Sequence, residues 1–261
     1  MKNQMPGFGV NINLGGLGGM FGGQQADPKN PKITGAGNLP GGKYESLTIT
    51  GAGKVDGDVE AKSVHLSGAS TINGNLKAGD LEANGSCTVS GRIVADEISS
   101  GGALKAGRNI KAGKIVAGGA FSAGGDVEAK TFRASGAFGV DGRIKAEDID
   151  IELNGRSHAK ALEGSKISVK RGSASGGSAV SVSFGGRGAF AGASVVSGSE
   201  GSLEVDTIEG DTVTLEATRA ELVKGKRVRI GAGCEIERVE YSEDLKVDED
   251  AKVEKSKRIG K

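Results

Sequence analysis

The chain has 261 residues, a net charge of +1, 47 glycines, only 3% aromatic residues and no tryptophan. A balanced charge with no basic stripe interleaved with aromatics excludes the electrostatic footprint of a nucleic-acid binder, and two cysteines are too few for a disulfide framework. So much glycine makes long helices costly, and no run of about 20 apolar residues offers a membrane-spanning helix.

The N-terminal stretch MKNQMPGFGVNINLGGLGGMFGG alternates Phe8, Val10, Ile12 and Leu14 with Gly and Asn, and Leu17, Met20 and Phe21 follow. Its glycines break the apolar run that a signal peptide needs. Two readings stand: a disordered or edge-covering tail, or a membrane-surface anchor whose lipid contacts are those apolar residues, with only Lys2 to offer charge to anionic lipid. The segment 24–43 carries Pro28, Pro31 and Pro40 and reads as a linker, so residues 1–44 are expected to be a flexible tail and linker. Within it, GNLPGGKY approximates a phosphate loop, but Tyr44 stands where a magnesium-binding hydroxyl is required and no apolar strand precedes it.

From Glu45 to Ala146 the chain repeats itself every 17 residues, six times, without insertion or deletion. Each unit ends in alanine (Ala61, Ala78, Ala95, Ala112, Ala129, Ala146) and has glycine at its seventh position (Gly51, Gly68, Gly85, Gly102, Gly119, Gly136). The fifteenth position is always aliphatic: Val59, Leu76, Ile93, Ile110, Val127, Ile144. Apolar residues alternate, as in Leu47 with Ile49 and Val64 with Leu66, which is the period of a strand. A short fixed period means stacked units that share one core. The fold class is therefore all-β, a single-stranded parallel β-helix or solenoid of about 17 residues per coil, with the aliphatic column inside. Seventeen is not a multiple of six, which argues against the left-handed hexapeptide helix, although handedness does not follow from period.

Stacked rungs place equivalent residues over one another. The sixteenth position runs Glu60, Lys77, Val94, Lys111, Glu128, Lys145, and the fourteenth runs Asp58, Asn75, Arg92, Asn109, Asp126, Arg143. Neither column sets like charges on successive rungs, as favourable cross-strand pairing requires; Asp80 over Glu97 is the exception.

Beyond Ala146 the period blurs over one or two further coils, so the first β-helical block is 45–170. Residues 171–201 form a Gly/Ser/Ala-rich insertion, read as a flexible loop in its middle, although Val180, Val182 and Phe184 alternate as a strand would. A second block over 202–255 resumes with columns Val205, Leu222, Val239, then Val213, Ile230, Val247, then Arg219, Ile236, Val253. Residues 256–261 are expected to be a charged C-terminal tail.

Groups for catalysis are scarce. His65 and His158 are the two histidines, so a three-histidine zinc site cannot form within one chain. IGAGCEI at 230–236 looks like a turn of hexapeptide acyltransferases, but no histidine is near it. Asp56 with Asp58, Asp248 with Asp250, and the basic KGKRVR at 224–229 read as outer strand faces. Cys87 and Cys234 read as small core residues in a reducing cytoplasm. No catalytic, cofactor-binding or metal-binding residue is expected, and the chain is read as a non-enzyme without a cofactor.

The stretch GKVDGDVEAKSVHLSGASTINGNLKAGDLEANGSCTVSGRIVA resembles the bactofilins, a bacterial polymer-forming cytoskeletal family, with the repeat motif matched at 53–61, 70–78 and 87–95. The resemblance covers roughly 45–146 and extends to 202–255, and the closing IERVEYSEDLKVDEDAKV is similar to Gram-positive members. It implies a right-handed β-helix that polymerises end to end without nucleotide, and in many members an N-terminal tail that binds membrane. The expected function is a scaffold that self-assembles through its β-helix ends and localises envelope, morphogenesis or motility proteins. Its expected partners are further copies of itself, a membrane surface and client proteins, with no nucleic acid, and its expected place is the cytoplasm, at the inner face of the cell membrane. The alternatives are a β-helix enzyme of the acyltransferase type, disfavoured by the missing histidines, and a β-solenoid adhesin, disfavoured by the missing signal.

Overall fold

The computed structural model describes residues 27–172 and 201–260. Those residues wind into a parallel β-solenoid of about 10 turns with about 17 residues per turn, and no helix occurs among them. The first block holds β1 (Lys32–Ile72), β2 (Leu76–Ala83), β3 (Ser86–Val89), β4 (Ile93–Ser100), β5 (Ala103–Ala106), β6 (Ile110–Ala117), β7 (Ala120–Ala123) and β8 (Val127–Glu128). It continues through β9 (Thr131–Ala134), β10 (Phe138–Lys145), β11 (Asp148–Leu153) and β12 (Arg156–Arg171). The second block is β13 (Ser202–Leu215), β14 (Thr218–Ile230), β15 (Glu235–Val247) and β16 (Lys252–Arg258).

Each turn carries three straight segments with alternating inward and outward side chains, so three faces feed one interior. On the first face Val59, Leu76, Ile93, Ile110, Val127 and Ile144 stack directly and continue through Leu162, Ile208, Val223 and Val239. No member of this column is more than 2% exposed. The second face stacks Val64, Leu81, Ile98, Ile115, Phe132 and Ile149, and the third stacks Ile72, Val89, Ala106, Ala123 and Val140. Burying each large aliphatic contributes about 1.5–3 kcal/mol, which is how a chain with so few aromatics holds a core. Three phenylalanines fill the interior together: Phe132 meets Phe121 and Phe138 edge-on at ring-centroid distances of 5.8 and 6.0 Å.

The seventh-position glycines are required by close approach. A Cβ on Gly85 would lie 2.0 Å from the Gly68 carbonyl oxygen, and one on Gly136 would lie 2.0 Å from that of Gly119. Positive φ adds a second reason at Gly51 and Gly68, at 124° and 117°.

Three sequence expectations are corrected. The linker does not reach residue 44: β1 begins at Lys32, Ile33 and Leu39 are buried, and the Thr48 amide donates to the Pro31 carbonyl at 3.1 Å. Proline is tolerated there because a terminal rung needs no N–H on its outer edge. The C-terminal tail is likewise strand as far as Arg258. The second block keeps the 17-residue spacing only in its last turn, where Ile230 pairs with Val247 and Ile236 with Val253. Its columns are Ile208, Val223, Val239, then Leu215, Ile230, Val247, then Ala220, Ile236, Val253, because the turn from Leu203 to Thr218 spends fewer residues at its corners. The blurred stretch after Ala146 is the opposite case, with Ile144 paired to Leu162 and Val140 to Ala159 across wider turns.

The insertion sits at one corner. Leu153 pairs with Arg171 and Arg156 with Ser202, and a Cβ on either Gly172 or Gly201 would press on the Leu153 carbonyl oxygen, at 2.7 and 2.0 Å. Chain exit and re-entry therefore share a single point of the wall. Residues 173–200, with Val180, Val182 and Phe184, lie outside the described residues.

Candidate functional site

Outward positions of the first face form an ordered charge ladder. By register it runs Glu60, Lys77, Val94, Lys111, Glu128, Lys145, Glu163, then Glu209, Lys224, Glu240, Lys257. Lys43 and Lys77 hold Glu60 from either side at 3.0 and 2.9 Å, and Lys111 holds Glu128 at 3.1 Å. These lysines keep the Glu60 carboxyl below the usual range. Glu163 against Glu209 is the one like-charge step of the column, at the rung that follows the insertion, and Arg143 reaches Glu163 at 3.5 Å.

Beside the ladder, the corner is built from Asp or Asn. Asp58 Oδ1 accepts the Asn75 amide at 2.8 Å, Asn75 Oδ1 accepts the Arg92 amide at 3.1 Å, and Asp126 Oδ1 accepts the Arg143 amide at 3.0 Å. Such an inward-curled side chain needs a glycine on the rung above. A Cβ on Gly91, Gly125 or Gly142 would lie 2.5, 2.1 or 2.4 Å from the Asn75, Asn109 or Asp126 oxygen.

Within the strict repeat both patterns fail together only at the rung of Ile93, although Arg143 also stands at the Asp/Asn position. Arg92 occupies the Asp/Asn position and supplies no oxygen, so the next rung carries exposed Arg108 where the neighbouring units have glycine. On the same rung Val94, half-buried, lies between Lys77 and Lys111 where a carboxylate would complete the alternation. An open groove of about 560 Å³ is lined here by Arg92, Val94, Arg108, Lys111, Arg143 and Lys145. Its carboxylates are already engaged, Asp126 near Arg143 at 3.8 Å and Glu128 with Lys111 at 3.1 Å. Arg92 and Arg108 make no ion pair among the described residues.

The ends of the described ladder differ. At the N-terminal end Tyr44 lies against the core and donates its hydroxyl to the Pro40 carbonyl at 2.6 Å, and burial pushes its phenol up. At the other end Leu245 and Val253 are only half-buried, and Val247 is 44% exposed. The outermost strand, β16, reads KVEKSKR, a charged edge that discourages indiscriminate strand addition.

Other candidates disperse. His65 pairs with Glu82 on an exposed face, and His158 lies 3.9 Å from Asp141. Asp56 is held low by Lys54 and then Asn73, while Asp248 accepts the Asp250 amide within a turn. Cys87 and Cys234 are buried free thiols whose titration is pushed up by burial, so neither is a ready nucleophile. Among the described residues no three His, Cys, Asp or Glu side chains gather as a metal set, and no helix is long and apolar enough to cross a membrane. The tail residues Phe8, Val10, Ile12, Leu14, Leu17, Met20 and Phe21 lie outside the described residues.

No protein-family model matches the chain. Similar proteins occur in Bacillus subtilis (strain 168): "Uncharacterized protein YhbE" is 46% identical over 57 residues, 22% of this chain and 24% of that protein. "Uncharacterized protein YhbF" is 31% identical over 103 residues, 40% of this chain and 35% of that protein. The chain thus spans about a quarter to a third of the length of these relatives. No solved structure matches.

Proposed function

We propose that the chain is a non-enzymatic scaffold: a β-solenoid rod that joins further copies through its terminal rungs, without nucleotide, and holds envelope, morphogenesis or motility proteins on its outer faces at the inner side of the cell membrane. The observation that carries the reading is the uninterrupted parallel ladder, about 10 turns long, whose C-terminal rung leaves Val247 open. The outer edge of a terminal rung is a template of backbone N–H and C=O groups for another chain, and apolar surface beside it adds a driving force. Contact between like ends gives a dimer if one end alone is used and a filament if both are, while contact between unlike ends propagates by itself. The bactofilin-like repeat motif in 45–146 favours the same role.

The test is electron microscopy and sedimentation velocity of the purified chain with and without nucleotide. Filaments or rods of uniform width are expected in both conditions, growing with protein concentration. A monodisperse monomer across that range overturns the proposal.

A further inference from the structure

The rung of Ile93 gives up two stabilising devices at once. A carboxylate at position 94 would face Lys77 and Lys111, and opposite charges on neighbouring strands stabilise a sheet. The corner oxygen is missing as well, because Arg92 replaces Asp or Asn and Arg108 replaces glycine. The corner oxygen is lost at Arg143 too, but within the strict repeat only the rung of Ile93 breaks both adjacent columns together, the pattern expected where binding outweighs stability. What the rung lacks in both columns is a side-chain oxygen, carboxylate in one and Asp or Asn in the other. What it exposes instead is two guanidinium groups that make no close ion pair among the described residues, Arg92 acting only at longer range on Asp58, beside a groove of about 560 Å³.

We propose that this groove docks an acidic segment of a partner protein, whose carboxylates supply the oxygens that the rung omits. Arg92 and Arg108 offer planar, bidentate donors matched to carboxylates. Val94 selects the class of partner: a half-buried valine at the middle of the cations rewards an apolar side chain, which a bare phosphate does not carry. A short extended segment with an aliphatic residue between acidic ones meets both demands. This rests on the scaffold reading only in naming the occupant a client; the docking itself does not require assembly.

The experiment titrates the full chain into a fluorescein-labelled peptide of sequence Glu-Glu-Leu-Glu-Glu, followed by anisotropy at low salt. Saturable binding is expected, weakened about tenfold or more by the double substitution R92A/R108A. V94E completes the ladder with the protein's own carboxylate, so it is expected to weaken binding to a similar degree without lowering the melting temperature. Lys252→Ala, on the terminal strand, is expected to bind as the parent does. Undiminished binding by V94E overturns the proposal, as does displacement of the peptide by inorganic phosphate or phosphatidylserine vesicles at equal anion concentration. Filaments with no peptide binding refute the docking site alone, whereas binding by a strictly monomeric chain refutes the assembly reading alone.

Discussion

Tyr44 and Tyr241, the two tyrosines of the chain, close the same column at opposite ends of the rod. Between them the column is alanine and then glycine: Ala61, Ala78, Ala95 and Ala112 stack in turn, and Gly164, Gly210 and Gly225 lead to Tyr241. Tyr44 is placed over Ala61 by the ion pairs on either side of it, Lys43 with Glu60 at 3.0 Å and Glu45 with Lys62 at 3.9 Å. Small residues let successive turns bend closely at this point, and the rings stand where the described ladder is ending, with Arg258 alone stacked beyond Tyr241. Both rings pack against the core.

Replacing either tyrosine by alanine should therefore uncover a core end and cost stability at one end only. A loss of about 1–3 kcal/mol is expected for Tyr44→Ala, seen in thermal melts as a lowered transition, with hydrogen exchange rising first in 32–49. Exchange rising uniformly along the chain would contradict an end-capping role.

Ile93 lies inside the longest aliphatic column, between Leu76 and Ile110, and is fully buried. Ile93→Asp places an unpaired charge in that interior, a cost of several kcal/mol, and should abolish the cooperative melt and the β-sheet circular dichroism. An unchanged melt would contradict the register.

Ser70 should be improvable. Its hydroxyl is buried without a partner on a column that continues through Cys87 and Leu104. Removing an unsatisfied buried hydroxyl recovers about 1–3 kcal/mol of desolvation cost, so Ser70→Ala should raise the midpoint of urea unfolding. A lowered midpoint would mean that the hydroxyl has a partner.

The acid side of the stability profile should reflect the exposed carboxylates. Glu60 is held below its ordinary value by Lys77 and Lys43, Asp58 by the Asn75 amide and side chain, and Glu235 by Arg219. A carboxylate depressed in the folded state contributes stability that is fully present above its unfolded value, about 4, and is lost as pH falls through the folded value. The melting temperature should hold level from pH 7 to about 5 and decline below about 4, with Glu60→Gln making the decline shallower. A decline that begins near neutrality would point to other groups.

Where the repeat was strict, the sequence was a faithful guide. A constant 17-residue unit transmits the position of Val59 to Ile144 without ambiguity, and the aliphatic column, the small-residue column and the charge ladder all follow from it. Reading failed where corners changed length. Arg219 is aligned with Ile236 by a 17-residue spacing, whereas Ala220 is its neighbour, because a turn that shortens by one residue slides the register and swaps inside for outside. Ile33 and Leu39 were missed because two apolar residues among glycines and prolines look like a linker until the next rung supplies their partners. The rung of Ile93 is inconspicuous in the sequence because Val94 is an ordinary strand residue and stands out only against the charges of Lys77 and Lys111 on either side.

The shared doorway at the Leu153 carbonyl uncouples winding from chain length. A path that departs and returns at one spot leaves the neighbouring turns in register whatever lies between, so a different cargo could be spliced between Gly172 and Gly201 while the scaffold keeps its pitch. Such a molecule has a port at which new surface is gained without redesigning the wall.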